Sequence, residues 1–200
     1  MSPRPDVSDE RKSQILNAAE GVFTKKGFSD ARMDDIAEET GLSKGTLYLY
    51  FKSKEDLVIA ILDRIFGDVI NQFQTRKNVE LKATEAIWQF TEAAIRDYKR
   101  MMGLMPIAYE FLALGFRNTV VQKALKNYFK LYMDALIPII QRGIDSGEFR
   151  QVDARDVAVA AGAIFEGTVL LWVYDKNMVD VDHDIRSGIT FLLEGVLASN

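Results

Sequence analysis

Residues 33–57 read MDDIAEETGLSKGTLYLYFKSKEDL. Lys44, Lys52 and Lys54 stand there beside Tyr48, Tyr50 and Phe51, with no acid between Ser43 and Lys54, in a chain of net charge −4. Periodicity resolves the stretch into a short helix with Ile36 and Ala37 facing inward, a break at Gly41, and a second short helix capped by Ser43. Two short helices joined by a tight turn at 40–42 make a helix-turn-helix, whose second helix enters the major groove of DNA. Leu47 and Phe51, four residues apart, pack with Ile36, Ala37 and Leu42. Lys44, Gly45, Tyr48 and Leu49 then point outward, with Thr46 flanking them.

Each of these fits a DNA contact. Lys44 has the reach for bases or phosphates, and Gly45 lets the backbone approach a duplex closely. Tyr48 and Tyr50 offer hydroxyls to phosphate oxygens, and Leu49 suits a thymine methyl. Lys54 adds an ammonium to helix N–H groups that already favour an anion. The pattern also fits a small helical subdomain with a solvated lysine face. Asp34, Asp35, Glu38 and Glu39 on the preceding helix would repel phosphate unless turned away from it.

Outward from this stretch the period stays helical, with no alternating strand pattern. Upstream, residues 8–27 carry Ile15, Ala19, Val22 and Phe23 on one face, and Gly27 stops that helix. Downstream, Ser53 caps a long helix, with Asp56 three residues on in a capping-box arrangement. Its stripe is Leu57, Ile61, Ile65, Val69 and Phe73. Further helices are expected at about 82–100, 101–115, 119–146, 153–175 and 182–199. Pro138 should kink the 119–146 helix or leave its neighbours locally re-satisfied, Gly147 ends it, and Asp153 with Asp156 opens the next. The expectation is an all-α chain of about nine helices: a three-helix DNA-binding domain at 1–53 and a larger bundle of about six helices at 54–200.

Composition narrows the function. A hydrophobic fraction of 48% marks a folded protein, and the absence of cysteine excludes disulfides, zinc ribbons and thiol nucleophiles. Residues 1–54 hold nine basic and nine acidic groups, and the rest hold 16 and 20, so attraction to a polyanion has to be local. The N-terminus has no apolar signal core, and a cytoplasmic location is expected. The apolar stretches 101–116 and 157–174 each carry a glutamate, Glu110 and Glu166, which is costly in lipid. They are therefore read as buried helices rather than membrane spans. No metalloprotease, phosphate-loop or nucleophile-elbow motif occurs. The single histidine, His183, reads as an exposed first-turn residue. No catalytic residue, metal ligand or cofactor is assigned, and the chain is not read as an enzyme.

The stretch closely resembles the N-terminal signature of the tetracycline-repressor (TetR) family of transcriptional regulators. The shared run is the Ile-Ala pair, Gly-Leu-Ser, Gly-Thr-Leu-Tyr, Tyr-Phe and Ser-Lys-Glu-Asp-Leu, within residues 11–57. The resemblance implies a dimeric regulator with a ligand pocket in its body, expected to act as a repressor released by a small lipophilic molecule. Activation of transcription, or an adaptor role without specific DNA binding, are the alternatives. Family contacts to double-stranded operator DNA carry over onto Lys44, Gly45, Thr46, Tyr48, Tyr50 and Lys54. One departure is "DARMDD", with Ala31 and Arg32 where the family commonly has a capping Thr or Ser. Capping then shifts to Asp30, and Arg32 supplies the phosphate contact by charge.

By the same resemblance the last two helices form the homodimer surface, where Ala160, Ala161, Gly162 and Ala163 would allow close approach. The middle helices are rich in methionine and aromatic groups that can repack around apolar shapes. Candidate ligand-binding residues are Trp88, Met102, Met105, Tyr109, Glu110, Tyr128, Tyr132 and Glu166. Glu110, Glu166, Tyr109 and Tyr132 are the polar members able to orient a ligand. Such a stripe is more often plain core, and Glu166 is read as structural rather than as a ligand contact.

Overall fold

The computed structural model describes residues 7–75 and 81–198, with side chains for all of these except 7, 65–75 and 100. Among the described residues there are nine α-helices and one 3-10 turn. They are α1 (Val7–Asp30), α2 (Met33–Thr40), α3 (Lys44–Tyr50), α4 (Lys54–Thr75), α5 (Ala83–Met101), α6 (Met105–Leu114), α7 (Thr119–Asp145), α8 (Ala154–Tyr174) and α9 (Val181–Val196). The all-α expectation holds. The expected single helix at 101–115 is divided by the 3-10 turn Met102–Leu104, and Pro106 sits in the first turn of α6. Proline there lacks an N–H that the helix would leave unpaired anyway. α7 instead runs on through Pro138. In the α4 stripe Leu57 and Ile61 are buried, while Ile65, Val69 and Phe73 lie outside the described side chains.

The chain packs as two compact units: Met1–Phe66 with Gly103–Lys126, and Gly67–Met102 with Asn127–Asn200. In the first, α1 lies against α2 and α6. Its core includes the fully buried Ile15, Phe23, Ile36, Leu47, Leu57 and Phe111. The rings of Phe23, Phe28 and Phe111 meet with centroids 5.7–5.8 Å apart, the spacing at which edge-to-face attraction adds to burial.

Gly27 breaks α1 as expected, at φ 74° and ψ 165°, a conformation only glycine adopts without strain. The break bares the N–H of Phe28, which donates to both carboxylate oxygens of Glu110 on α6, at 3.0 and 3.1 Å. Across the same end of α1, the Lys54 ammonium donates to the Phe28 carbonyl at 2.6 Å and lies 4.5 Å above the Phe28 ring.

In the second unit α8 pairs with α9, and α5 also lies on α9. A Cβ at Gly188 would stand 2.6 Å from the Ile164 side chain, so the glycine sets how closely α8 and α9 approach. Gly147 ends α7 at φ 75°, with the Phe149 N–H returning to the Gly143 carbonyl at 3.0 Å. Asp153 caps α8 through the Arg155 N–H, and Asp180 caps α9 through the His183 N–H. Glu148 caps α5, accepting from the Ala83 and Thr84 N–H groups at 2.8 and 2.9 Å. The α8 helix is long and apolar enough to cross a membrane by length and composition.

Candidate nucleic-acid interface

The recognition element is α3, held from beneath by Leu47, which is fully buried, and by Phe51. Gly41 enters the turn at φ 68°, and its N–H and that of Leu42 satisfy carbonyls at the end of α2. Ser43 Oγ accepts from the Thr46 N–H at 3.1 Å and lies 2.9 Å from the Thr46 hydroxyl, so both hydroxyls serve the cap first. The opposite face is open. Ser43, Lys44, Gly45, Tyr48 and Leu49 are exposed, and Thr46 and Tyr50 are half-buried. Leu49 is 76% exposed, an apolar side chain standing outward on a helix whose other face is core.

Beside α3 an open groove of about 650 Å³ is lined by Arg32, Met33, Asp34, Tyr48 and Lys54 among others. The Arg32 guanidinium and the Tyr48 hydroxyl make no hydrogen bond among the described residues. Lys54 is turned toward the Phe28 and Ser29 carbonyls, at 2.6 and 3.2 Å. The first turn of α4 is likewise engaged. Ser53 Oγ accepts the Asp56 N–H at 3.1 Å, and the Asp56 carboxylate accepts from Lys52 rather than from Ser53.

Arg32 itself occupies the cap position of α2 and has no acceptor to offer. The cap is supplied from inside the helix, where the Asp35 carboxylate accepts the Arg32 N–H at 2.9 Å. Asp30 instead ends α1, so capping does not shift to it. The acids of α2 are largely neutralised by lysines: Asp34 by Lys44 at 2.7 Å, Asp35 by Lys26 at 2.9 Å and Glu39 by Lys25 at 3.5 Å. The bond from Lys26, then that from the Arg32 N–H, hold the Asp35 carboxyl below its ordinary value.

The candidate ligand-binding residues are divided between the two units. Met105, Tyr109 and Glu110 belong to the first unit, and Trp88, Met102, Tyr128, Tyr132 and Glu166 to the second. Met105 and Tyr128 are buried, Trp88 and Tyr109 are half-buried, and Glu166 is exposed on α8. Glu110 is engaged by the Phe28 N–H. The Tyr132 hydroxyl donates to the Ala158 carbonyl at 3.0 Å, and burial pushes its phenol upward. Gly162 gives that ring its room, since a Cβ there would lie 3.2 Å from the hydroxyl. Gly162 is thus used within the unit rather than being free for a partner. Met102 lines a groove together with Tyr98 and Trp172, two residues that the sequence pattern did not single out.

Residues 15–61 match the model of the family described as bacterial regulatory proteins, tetR family. Residues 68–198 match that of the QacR-like protein C-terminal region. The HTH-type transcriptional regulator YfiR of Bacillus subtilis (strain 168) is 31% identical over 76% of this chain and 75% of its own. The fatty acid metabolism regulator protein of the same organism is 28% identical over 92% of this chain and 94% of its own. The solved structure of the fatty acid degradation regulator FadR from Bacillus halodurans superposes with a TM-score of 0.81 at 23% identity, covering 96% of this chain and 98% of that one.

Proposed function

The chain belongs to the tetR family of bacterial regulatory proteins, a ligand-responsive class of DNA-binding transcriptional regulators, and from that premise we propose that it is a cytoplasmic repressor. It binds a pseudopalindromic operator as a homodimer and is released by a small lipophilic effector. The observation that carries the reading is the outward face of α3, where Lys44, Tyr48 and Leu49 stand exposed on a helix fixed from below by Leu47. Lys44 and Arg32 supply phosphate contacts, Gly45 and Thr46 close backbone approach, and Tyr48, Leu49 and Tyr50 the contacts to base edges and sugar-phosphate. Ser43 and Lys54 act mainly by holding the helix ends from which these residues project.

Dimerisation through α8 and α9 is supported by the apolar side chains they leave exposed: Val159, Leu170, Leu171 and Tyr174 on α8, and Phe191 on α9. Such a surface calls for a covering partner, and a second copy makes a four-helix interface. Twofold symmetry then demands matching half-sites in the operator. The reading assigns no catalysis, since Glu110 serves the break in α1 and Glu166 is exposed on α8.

The test is selection of bound duplexes from a random pool, run with the parent protein and with Tyr48→Ala. A pseudopalindrome enriched by the parent and lost in the variant is the expected result. Enrichment of nothing beyond salt-sensitive background would reject operator reading.

A further inference from the structure

The second unit contains an open groove of about 540 Å³, walled by Tyr98, Met102, Trp172, Lys176 and Val179 and rimmed by Asp180 and Asp182. Its volume lies in the range that accommodates small organic ligands. Tyr98 is 4% exposed, and its hydroxyl has no hydrogen-bond partner among the described residues. The ring is fixed edge-to-face against Trp172 at 5.8 Å and Phe165 at 6.5 Å. Burial pushes the phenol up to about 12, so at neutral pH it stays a hydrogen-bond donor. A buried hydroxyl without a partner costs free energy, and such a group needs an explanation.

The charges around the groove narrow what it would take. Lys99 is paired with Asp182, which also receives Arg186 at 2.7 Å. Asp180 is occupied as the cap of α9. Lys176 pairs with no carboxylate among the described residues, and its ammonium lies 5.4 Å over the Trp172 ring. Two donors are therefore left without an acceptor, the Tyr98 hydroxyl and the Lys176 ammonium, beside the apolar surfaces of Met102, Trp172 and Val179.

We propose that this groove binds a small apolar molecule with an anionic head, which accepts a hydrogen bond from Tyr98 and pairs with Lys176. The Tyr98 hydroxyl is sealed from solvent at the wall of the groove. The ligand reaches it by displacing the Trp172 ring, which packs edge-to-face on Tyr98 at 5.8 Å. Trp172 stands in the last turn of α8, and Lys176 in the turn that follows it. The proposal deepens the effector reading and rests on it for the regulatory consequence, but not for binding.

Three probes with the same tail separate head-group chemistry: octanoate, octanol and octyltrimethylammonium. Binding is read by calorimetry and by tryptophan emission, with Trp172→Phe assigning the emission change to Trp172 rather than Trp88. Octanoate is expected to bind saturably, with octanol and the cation at least tenfold weaker. Tyr98→Phe and Lys176→Gln should each weaken octanoate about tenfold. Tyr98→Phe should also raise the Tm of the ligand-free protein, which shows that the variant folds and that the hydroxyl was unsatisfied.

Equal octanoate affinity in Tyr98→Phe would overturn the assignment and leave the hydroxyl to an internal water. So would equal binding of anion and cation, or no saturable binding of octanoate. Operator release is measured separately on the selected duplex. Octanoate bound at Tyr98 without release would keep the site and sink its link to regulation. Failure at the groove with operator binding intact would leave the DNA reading standing.

Discussion

Each compact unit holds a polar group in apolar surroundings, and the two groups fare in opposite ways. In the first, the Glu110 carboxylate on apolar α6 is met by the Phe28 N–H with both oxygens, and Lys54 satisfies the carbonyls beside it. In the second, the Tyr98 hydroxyl is buried deeply and is met by nothing among the described residues. The first arrangement closes a structure on itself: a break in α1, the carboxylate that fills it and a three-ring core, all in the unit that carries α3. The second leaves something for another molecule to complete. A head whose half-buried carboxylate is met and a body with one hydroxyl left open fit a division in which one part holds a geometry and the other responds to a ligand.

The hardest blow to that comparison is struck at Phe111. Its ring is fully buried with Phe23 and Phe28, so Phe111→Ala should cost about 3–5 kcal/mol in urea denaturation. Operator binding should fall with it, because α6 belongs to the unit that carries α3. A loss under about 1 kcal/mol would mean that the segment 103–126 is not part of the reading head's core.

Next in size is the break in α1. Gly27 sits in a region closed to residues with a Cβ, so Gly27→Ala should cost on the order of 1–3 kcal/mol. Glu110→Ala should follow it by removing the acceptor from a bared N–H, while Glu110→Gln, keeping a carbonyl, should lose less. If Glu110→Ala left stability unchanged and altered effector response instead, its structural role would be misread and Glu110 would return as a ligand contact.

A carboxylate of the second unit provides the contrast. Burial alone would raise the Glu148 carboxyl, but the Thr84 hydroxyl and the N–H groups of Thr84 and Ala83 outweigh it and hold the group below its ordinary 4.5. A depressed value in the folded state stabilises the protein above the unfolded value, and that contribution disappears as pH falls through the folded value. Glu148→Gln should therefore cost about 1 kcal/mol at neutral pH. The gap to the parent should close below pH 4.5. A gap independent of pH would show that the cap works without charge.

The head was legible in the sequence because its determinants are local. Ser43 lies three residues from the N–H it caps, Gly41 takes the positive φ that its turn requires, and Leu47 with Phe51 repeats at helical spacing. What escaped was tertiary. Glu110 looked like a group able to orient a ligand because the N–H that engages it belongs to a residue 82 positions away and is bared only by the break at Gly27. The division by function at residue 53 is a different one from the packing, in which 103–126 falls in one unit with 1–66. Tyr98 sits in an ordinary amphipathic helix, and no periodicity reveals whether a buried hydroxyl finds an acceptor. The cap of α2 was hidden for a simpler reason: Asp35 supplies it from within the helix, where a side chain preceding the helix is the usual source.

The smallest expected effect probes the face of the head itself. Lys44 is held by Asp34 at 2.7 Å, with both side chains more than half exposed. To meet a phosphate it has to exchange that partner, and an exposed pair of this kind contributes at most about 1 kcal/mol. Asp34→Asn should therefore leave the Tm nearly unchanged while tightening the selected operator a few fold, because Lys44 no longer leaves a carboxylate behind. Lys44→Ala should act the other way, weakening binding and reducing the slope of log affinity against log salt by about 0.9. The double variant decides between two roles for Asp34. If Asp34→Asn tightens binding only when Lys44 is present, the aspartate acts by holding the lysine. An equal gain in the Lys44→Ala background would mean that Asp34 acts by repelling phosphate directly, and the exchange of partners would drop out of the mechanism.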